Sequence, residues 1–163
     1  LFAILFVWQL PHFWSIAWAI PGALPPVIGW VGATGELQLG AFVLFAILFV
    51  WQLPHFWSIA WLYRNDYRQG GMKMLSVMDE EGGFIARQIA VWCVALMLTS
   101  LLPVFVGMAS PMYGAGAMVL GLGFLGAGIV HARRRTREST RGVFFASLLY
   151  LPALLGVLLV DVW

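Results

Sequence analysis

Charged side chains are scarce in this sequence. Only 10% of its 163 residues are Asp, Glu, Lys or Arg, whereas 62% are hydrophobic. A soluble domain carries about 25% charged residues, and the mean hydropathy here is +0.91, so an ordinary water-soluble domain is excluded. A helix needs about 20 apolar residues to cross a bilayer. We therefore predict an all-α integral membrane protein with about five transmembrane helices.

Cysteine is almost absent as well. The chain has a single cysteine, Cys93, in an apolar run, so an internal disulfide is impossible. A free cysteine in such surroundings usually behaves as a small hydrophobic residue. We interpret Cys93 as a packing residue, and it carries no information about the redox compartment.

Positive charge is confined to two segments of the chain. Cytoplasmic loops of membrane proteins are enriched in Lys and Arg, so we expect residues 63–87 and 131–142 to face the cytoplasm of a bacterial-type inner membrane. Because each cluster adjoins a predicted span, contact with anionic lipid is favoured over nucleic-acid binding, and no nucleic-acid partner is expected. The nine basic residues are Arg64, Arg68, Lys73, Arg87, Arg133, Arg134, Arg135, Arg137 and Arg141.

Apolar runs predict the helices. Prolines interrupt the candidate helices at residues 1–20 and 22–34, and proline kinks or breaks a helix. Residues 22–34 are too short to span a membrane alone, so we expect them to join part of residues 1–20 in one kinked helix. Ala109-Ser110-Pro111 and residues 33–38 are predicted to be short outside turns. The candidate helices are residues 1–20, 22–34, 39–63, 88–108, 112–132 and 142–162. In the fifth of these, repeated glycines favour close helix packing.

The chain contains an unusual internal duplication. Residues 1–18 are identical to residues 44–61, whereas natural structural repeats recur at a fixed period. The sequence begins with Leu and lacks the features of a signal peptide. We expect a single transmembrane fragment spanning residues 1–163, in which residues 1–20 duplicate the region 44–61. Gln9 and His12 are not assigned the roles of their later copies.

Polar residues in the third apolar run are functional candidates, because polar groups inside a membrane are costly. At about 100° and 1.5 Å per residue, Gln52, His55, Tyr63 and Asp66 would share one helix face if the helix continued through residue 66. His55 and Asp66 would lie about 16 Å apart, too far to bind one metal ion. This spacing suits a long amphiphilic ligand with its polar head near Asp66.

The residues around Asp66 fit phosphate chemistry. Mg²⁺ is often bound by one or two carboxylates together with substrate phosphate oxygens, and cationic side chains bind phosphate strongly. Asp66 is thus a candidate metal ligand, and Arg64, Arg68 and Lys73 are candidate diphosphate-binding residues. Structural alternatives stay open: Asp66 as a helix cap, the basic residues as topology signals, His55 as a bonded core histidine and Gln52 as an interhelical contact. The acidic triplet 79–81 is interpreted as solvated, and His131 as interfacial.

Two motifs resemble those of heme O synthases, a family of protoheme IX farnesyltransferases in the UbiA group of intramembrane prenyltransferases. The proline-rich stretch Pro21-Gly22-Ala23-Leu24-Pro25-Pro26, followed by Ile28-Gly29-Trp30, is similar to one of them. The second is Trp51-Gln52-x-Pro54-His55-Phe56, followed by Asp66-Tyr67, Gly70 or Gly71, and Met74-Leu75-x-Val77. The resemblance covers residues 21–163, with both motifs in residues 21–77.

The resemblance implies a UbiA-type helical bundle, here the C-terminal part of it. It also implies transfer of a farnesyl group from farnesyl diphosphate to a vinyl group of heme B, with Mg²⁺ bound to the diphosphate. The partners implied are therefore farnesyl diphosphate, heme B and the lipid bilayer. By this resemblance Asp66 and His55 are catalytic residues, Asp66 binds the metal, and Gln52, Tyr67, Arg64, Arg68 and Lys73 contact substrate.

The chain also departs from the family's pattern. The family has a first Asn/Asp-rich motif in its N-terminal half, and residues 1–34 contain no Asp, Asn, Glu, Lys or Arg. We therefore expect this isolated chain to be inactive. Two alternatives are another UbiA-type prenyltransferase with a quinone-ring acceptor, and a non-catalytic membrane protein that binds heme or lipid.

Overall fold

The computed structural model describes residues 20–162, and within this range all regular structure is helical. A helical turn at residues 20–23 precedes the first complete helix and is separated from it by Leu24. The helices are α1 (Pro25–Thr34), α2 (Leu39–Leu62), α3 (Arg64–Gln69), α4 (Leu75–Met78), α5 (Gly83–Thr99), α6 (Leu102–Phe105), α7 (Pro111–Arg134) and α8 (Arg137–Val162).

Four helical segments in the described range are long and apolar enough to cross a membrane. They are Leu39–Leu62, Gly83–Phe105, Pro111–Arg134 and Arg137–Val162. These spans confirm the prediction of an all-α integral membrane protein. The fifth predicted span, which was to combine residues 1–20 with 22–34, falls largely outside the described residues; α1 alone has 10 residues.

The two basic connections are shorter than the sequence indicated. α5 begins at Gly83 rather than at residue 88, because the Asp79 carboxylate accepts a hydrogen bond from the Ile85 amide (2.9 Å) and Gly82 turns the chain with a φ of 69°. The supposed loop 64–87 also contains α3 and α4. The loop 133–141 is reduced to Arg135 and Thr136, since α7 runs to Arg134 and α8 starts at Arg137.

Chain alternation brings both basic connections to the same end of the bundle. The Trp61 ring, at the end of α2, lies edge-on to His131 near the end of α7, with centroids 6.5 Å apart. A Cβ placed on Gly83 would lie 3.5 Å from Nη1 of Arg135. We call this the basic end of the bundle, and the opposite end the non-basic end.

The bundle core lies between α2, α5, α7 and α8. Small residues allow close contact there: a Cβ on Gly121 would overlap the Met97 side chain, and one on Gly128 would lie 3.3 Å from Cys93 Sγ. Cys93 is buried, which agrees with its predicted packing role. Not every glycine of α7 serves close helix packing, however, because Gly123 and Gly126 face open space.

Hydrogen bonds close the bundle at its non-basic end. The Asp161 carboxylate, at the end of α8, accepts the Ser110 amide (2.7 Å) and the Ser110 hydroxyl at the start of α7. A carboxylate at a helix N-terminus also interacts favourably with the helix dipole. Nearby, the buried Tyr113 hydroxyl donates to the Ser100 carbonyl (2.9 Å), and Ser100 Oγ contacts the Tyr150 hydroxyl (2.8 Å).

Candidate functional site

His55 is held between α2 and α8 by stacking and hydrogen bonding. Its imidazole stacks on Trp51, one turn earlier, with centroids 4.8 Å apart, and on Phe144 of α8 at 5.3 Å. Its Nδ1 lies 2.8 Å from Ser147 Oγ, and the Trp51 indole donates to the Ser147 carbonyl at 2.8 Å. One turn of α8 therefore fixes both Trp51 and His55.

The hydrogen bonds around Ser147 indicate the tautomer of His55. Ser147 Oγ donates its single hydrogen to the Phe144 carbonyl (2.6 Å). It can then only accept at its contact with His55, so Nδ1 carries the proton. In a neutral imidazole the other nitrogen, Nε2, has the free lone pair. Among the described residues no hydrogen bond to Nε2 is found, so none of these residues occupies the position at which a ligand would contact this nitrogen.

Gln52 connects the two family motifs in space. Its side chain is buried, and a Cβ on Gly22 would overlap its Nε2. The proline-rich segment that starts at Pro21 thus packs directly on the second motif. Within residues 20–162 the Gln52 Oε1 has no hydrogen-bond partner, and a buried acceptor without a partner is costly. This oxygen is a second position at which a ligand would be stabilised.

The shared polar face predicted for residues 52–66 is wrong at its far end. α2 stops at Leu62, and Tyr63 has φ −102° and ψ 14°, outside the helical region. Gln52 and His55 remain on α2, whereas Asp66 belongs to the separate helix α3. Tyr63 and Asp66 are exposed. The polar side chains therefore form an inner group around His55 and an outer group on α3.

Within the outer group, the acid and the bases point in different directions. Arg64 and Arg68 are four residues apart and share a face of α3, whereas Asp66 lies about 160° away from both around the helix axis. Arg64 Nη1 lies 3.5 Å from the Glu80 carbonyl, and Arg68 Nη2 lies 3.4 Å from the Val77 carbonyl. Both arginines thus hold the α4 segment, and the structure does not bring them around the Asp66 carboxylate.

The remaining candidates lie on or just after α3. The Tyr67 carbonyl accepts the Met72 amide (2.9 Å), which closes the turn after the helix, and the Tyr67 side chain is partly buried. Lys73 is exposed in the extended stretch before α4. In residues 20–162 no group of three or more His, Cys, Asp or Glu side chains could hold a metal ion. Asp66 is therefore not part of such a group within the described residues, and its role as a metal ligand stays a prediction.

Two further clusters were missed by sequence reasoning. Ser147 and Phe144 fix His55 from α8, and the only sequence signal was a hydroxyl in an apolar run. His131 is completely buried rather than interfacial, which corrects that expectation. Its Nδ1 contacts Ser139 Oγ (3.2 Å) and Thr140 Oγ1 (3.3 Å), and its Nε2 has no partner in the described range.

Trp61 links His131 to the segment after α2. The Arg64 guanidinium carbon lies 3.8 Å from the centre of the Trp61 ring, a cation–π contact. A Cβ on Gly82 would overlap the same ring. Both ends of the segment between α2 and α5 are therefore packed on one indole, which fixes where α3, and with it Asp66, leaves the bundle.

Comparison of the sequence with known proteins identifies the family of the chain. The UbiA prenyltransferase family matches residues 17–150. This chain belongs to the UbiA prenyltransferase family. A UbiA relative from Solibacter usitatus, named protoheme IX farnesyltransferase, is 49% identical over 143 residues, which cover 88% of this chain and 49% of the relative.

Other UbiA relatives with the same name show similar coverage. The Salinibacter ruber protein is 42% identical over 147 residues, covering 90% of this chain and 52% of its own length. The Opitutus terrae protein is 44% identical over 144 residues, which cover 88% of this chain and 49% of the relative. The chain spans about half the length of these curated relatives, and no solved structure matches it.

Proposed function

We propose that this chain supplies half of a heme O synthase, which transfers a farnesyl group from farnesyl diphosphate to a vinyl group of heme B. The UbiA membership and the name shared by its relatives support this reaction class. The observation that carries the proposal is the fixed His55 imidazole, which presents Nε2 from a layer of aromatic rings inside a membrane span.

His55 and Gln52 would act on the heme side of the reaction. A neutral imidazole nitrogen can bind heme iron or accept a hydrogen bond, and either contact would orient the porphyrin. The Gln52 Oε1 would accept a hydrogen bond from a substrate or a bound water in the same layer. The rings of Trp51, Phe56 and Phe144 would exclude water and stabilise an allylic cation through cation–π interaction.

Asp66 would act on the diphosphate side. One carboxylate is compatible with Mg²⁺ held mainly by substrate phosphates, and such a metal would neutralise charge on the departing diphosphate. Arg64 and Arg68 would hold α3 against the α4 segment, while Tyr67 on α3 and Lys73 after it would approach the diphosphate. Diphosphate would leave as the farnesyl carbon bonds to the vinyl group, and water would then add to the resulting cation and lose a proton to give the hydroxyl.

The side of the membrane follows from charge. We place the basic end in the cytoplasm of a bacterial inner membrane because basic loops are retained there. This orientation would present Asp66 to water-soluble Mg²⁺ and to the diphosphate head, while the His55 layer lies about 10 Å deeper along α2. A quinone-ring acceptor is the weaker alternative, because the relatives named here are protoheme farnesyltransferases.

A chimera tests the proposal. Residues 21–163 would replace the matching C-terminal half of the Solibacter usitatus relative, and the chimera would be expressed in a bacterium that lacks heme O synthase. We expect membranes to form heme O from heme B, farnesyl diphosphate and Mg²⁺, and we expect the chain alone to form none. The parent Solibacter protein is the positive control.

The outcomes separate the alternatives. A chimera that inserts and folds but transfers farnesyl only to a quinone precursor would replace the proposal by the quinone hypothesis. A chimera that binds heme, with a Soret shift, yet transfers nothing would support a non-catalytic role. Heme O from the chain alone would refute the expectation that it is inactive by itself.

A further inference from the structure

We propose that the groove between α7 and α8 at the basic end binds the headgroup and one acyl chain of an anionic phospholipid. The site is separate from the His55 layer and does not rest on the proposed reaction. A cleft of about 330 Å³ opens here, lined by Ala127, Val130, Arg134, Thr136, Glu138, Ser139 and Gly142.

The first argument is charge density. Only Arg135 and Thr136 connect α7 to α8. Five arginines therefore lie close together at this end of the helix pair: Arg133, Arg134, Arg135, Arg137 and Arg141. All five are exposed, and the only acidic residue among them is Glu138. The Arg135 Nε–H donates to the Ala132 carbonyl at 3.4 Å, whereas within residues 20–162 no hydrogen bond is found for the other four guanidinium groups. Basic clusters beside a membrane span attract anionic lipid headgroups.

The second argument is polarity along the groove. Among its lining residues, Arg134, Thr136 and Ser139 lie toward the basic end, and the apolar residues Ala127 and Val130 lie one to two turns further along α7. Further from the basic end, the helical repeat places Gly123 of α7 and Phe145 of α8 on the same stripe. Gly123 faces open space, and Phe145 is exposed. A charged mouth that leads into an exposed apolar stripe matches a phospholipid with its chain lying along the helices.

Gly142 makes the groove testable without disturbing the fold. A Cβ at Gly142 would meet nothing within 4 Å, so Gly142→Leu should fill the cleft rather than strain the bundle. Gly156 offers a matched control on the same helix, because it also faces open space and lies about 21 Å further along the axis. Arg87, exposed on α5 near the same end, is the matched control for removal of charge.

Native mass spectrometry of the detergent-solubilised chain is the test, with phosphatidylglycerol and phosphatidylcholine as probes. We expect the first phosphatidylglycerol to bind at least about fivefold more tightly than phosphatidylcholine. Gly142→Leu and Arg134→Gln should each weaken that preference about fivefold, and Glu138→Gln should strengthen it. Gly156→Leu and Arg87→Gln should leave it unchanged.

Several results would overturn the proposal. They are equal binding of the two lipids, equal losses in the controls and the variants, or displacement of the lipid by inorganic phosphate alone. A dimer mass that disappears in Gly142→Leu, with no bound lipid in the wild type, would assign the groove to a second copy of the chain instead.

Discussion

The His55 imidazole and the Ser147 hydroxyl meet across the α2–α8 interface, with Nδ1 and Oγ 2.8 Å apart. This contact sets the tautomer of the histidine and joins the polar motif to a helix that the motif does not include. The Trp51 indole donates a hydrogen bond to the carbonyl of the same serine. This contact between α2 and the backbone of α8 does not need the hydroxyl and should remain when the hydroxyl is removed.

Ser147→Ala should therefore loosen the imidazole while the tryptophan stays in place. We expect heme O formation by the chimera to fall about fivefold to tenfold, which corresponds to the roughly 1 kcal/mol of a single hydrogen bond. Ser58→Ala is the control, because Ser58 is equally buried and donates only to the His55 carbonyl. An equal loss in both variants would argue that the hydroxyl of Ser147 has no specific role.

Two substitutions of His55 separate its two nitrogens. The side-chain amide of an asparagine in its place can reach the position of Nδ1, whereas the amide of a glutamine can reach that of Nε2. If Nε2 is the working atom, His55→Asn should lower heme O formation by about 100-fold or more, and His55→Gln should retain part of it. The heme difference spectrum should weaken in parallel. The opposite order of the two variants would contradict the role of Nε2 as the working atom.

Asp66→Asn should raise the Mg²⁺ concentration needed for half-maximal heme O formation by about tenfold, because one charged ligand is lost. The measurement is a Mg²⁺ titration of membranes that contain the chimera. Glu81→Gln removes an exposed carboxylate from the same segment and should not move the midpoint. A midpoint that stays constant in Asp66→Asn would show that this aspartate does not contact the metal.

Gly82→Ala should destabilise the protein more than Gly71→Ala. Both glycines have a φ of 69°, so alanine costs about 1 to 2 kcal/mol at either position. Only at Gly82 does the added methyl group overlap the Trp61 ring, whereas Gly71 faces open space. The difference in Tm of the two purified variants in detergent isolates the contact with Trp61. Equal Tm values would mean that the indole moves aside freely.

Gly121→Ala and Gly123→Ala should change stability in opposite directions. A Cβ at Gly121 overlaps the Met97 side chain, and overpacking of this kind costs about 1 to 3 kcal/mol. Gly123 faces open space, so alanine there should stabilise the helix by about 0.5 to 1 kcal/mol. Thermal unfolding in detergent measures both shifts. A lower Tm for Gly123→Ala would indicate a contact on that face that the described residues do not make.

Hydropathy was sufficient to locate the four spans, because apolar runs of this length have few other stable conformations. It also made Gln52 and His55 conspicuous. Ser147 could not be predicted as the partner of His55, since that contact depends on the relative register of α2 and α8. Within α3 the helical period alone turns Arg64 and Arg68 away from Asp66. Hydropathy did not reveal the break at Tyr63, which leaves Asp66 on a different helix from His55.

The helix pair α7 and α8 is fastened at both ends. Two residues join the helices at the basic end, and the Asp161 carboxylate binds Ser110 at the other. Parting them sideways would require breaking a charged hydrogen-bonded contact while the turn still held the opposite end. If the chain binds a long isoprenoid as proposed, we therefore expect that substrate to enter the bundle from the lipid between other helices rather than between α7 and α8.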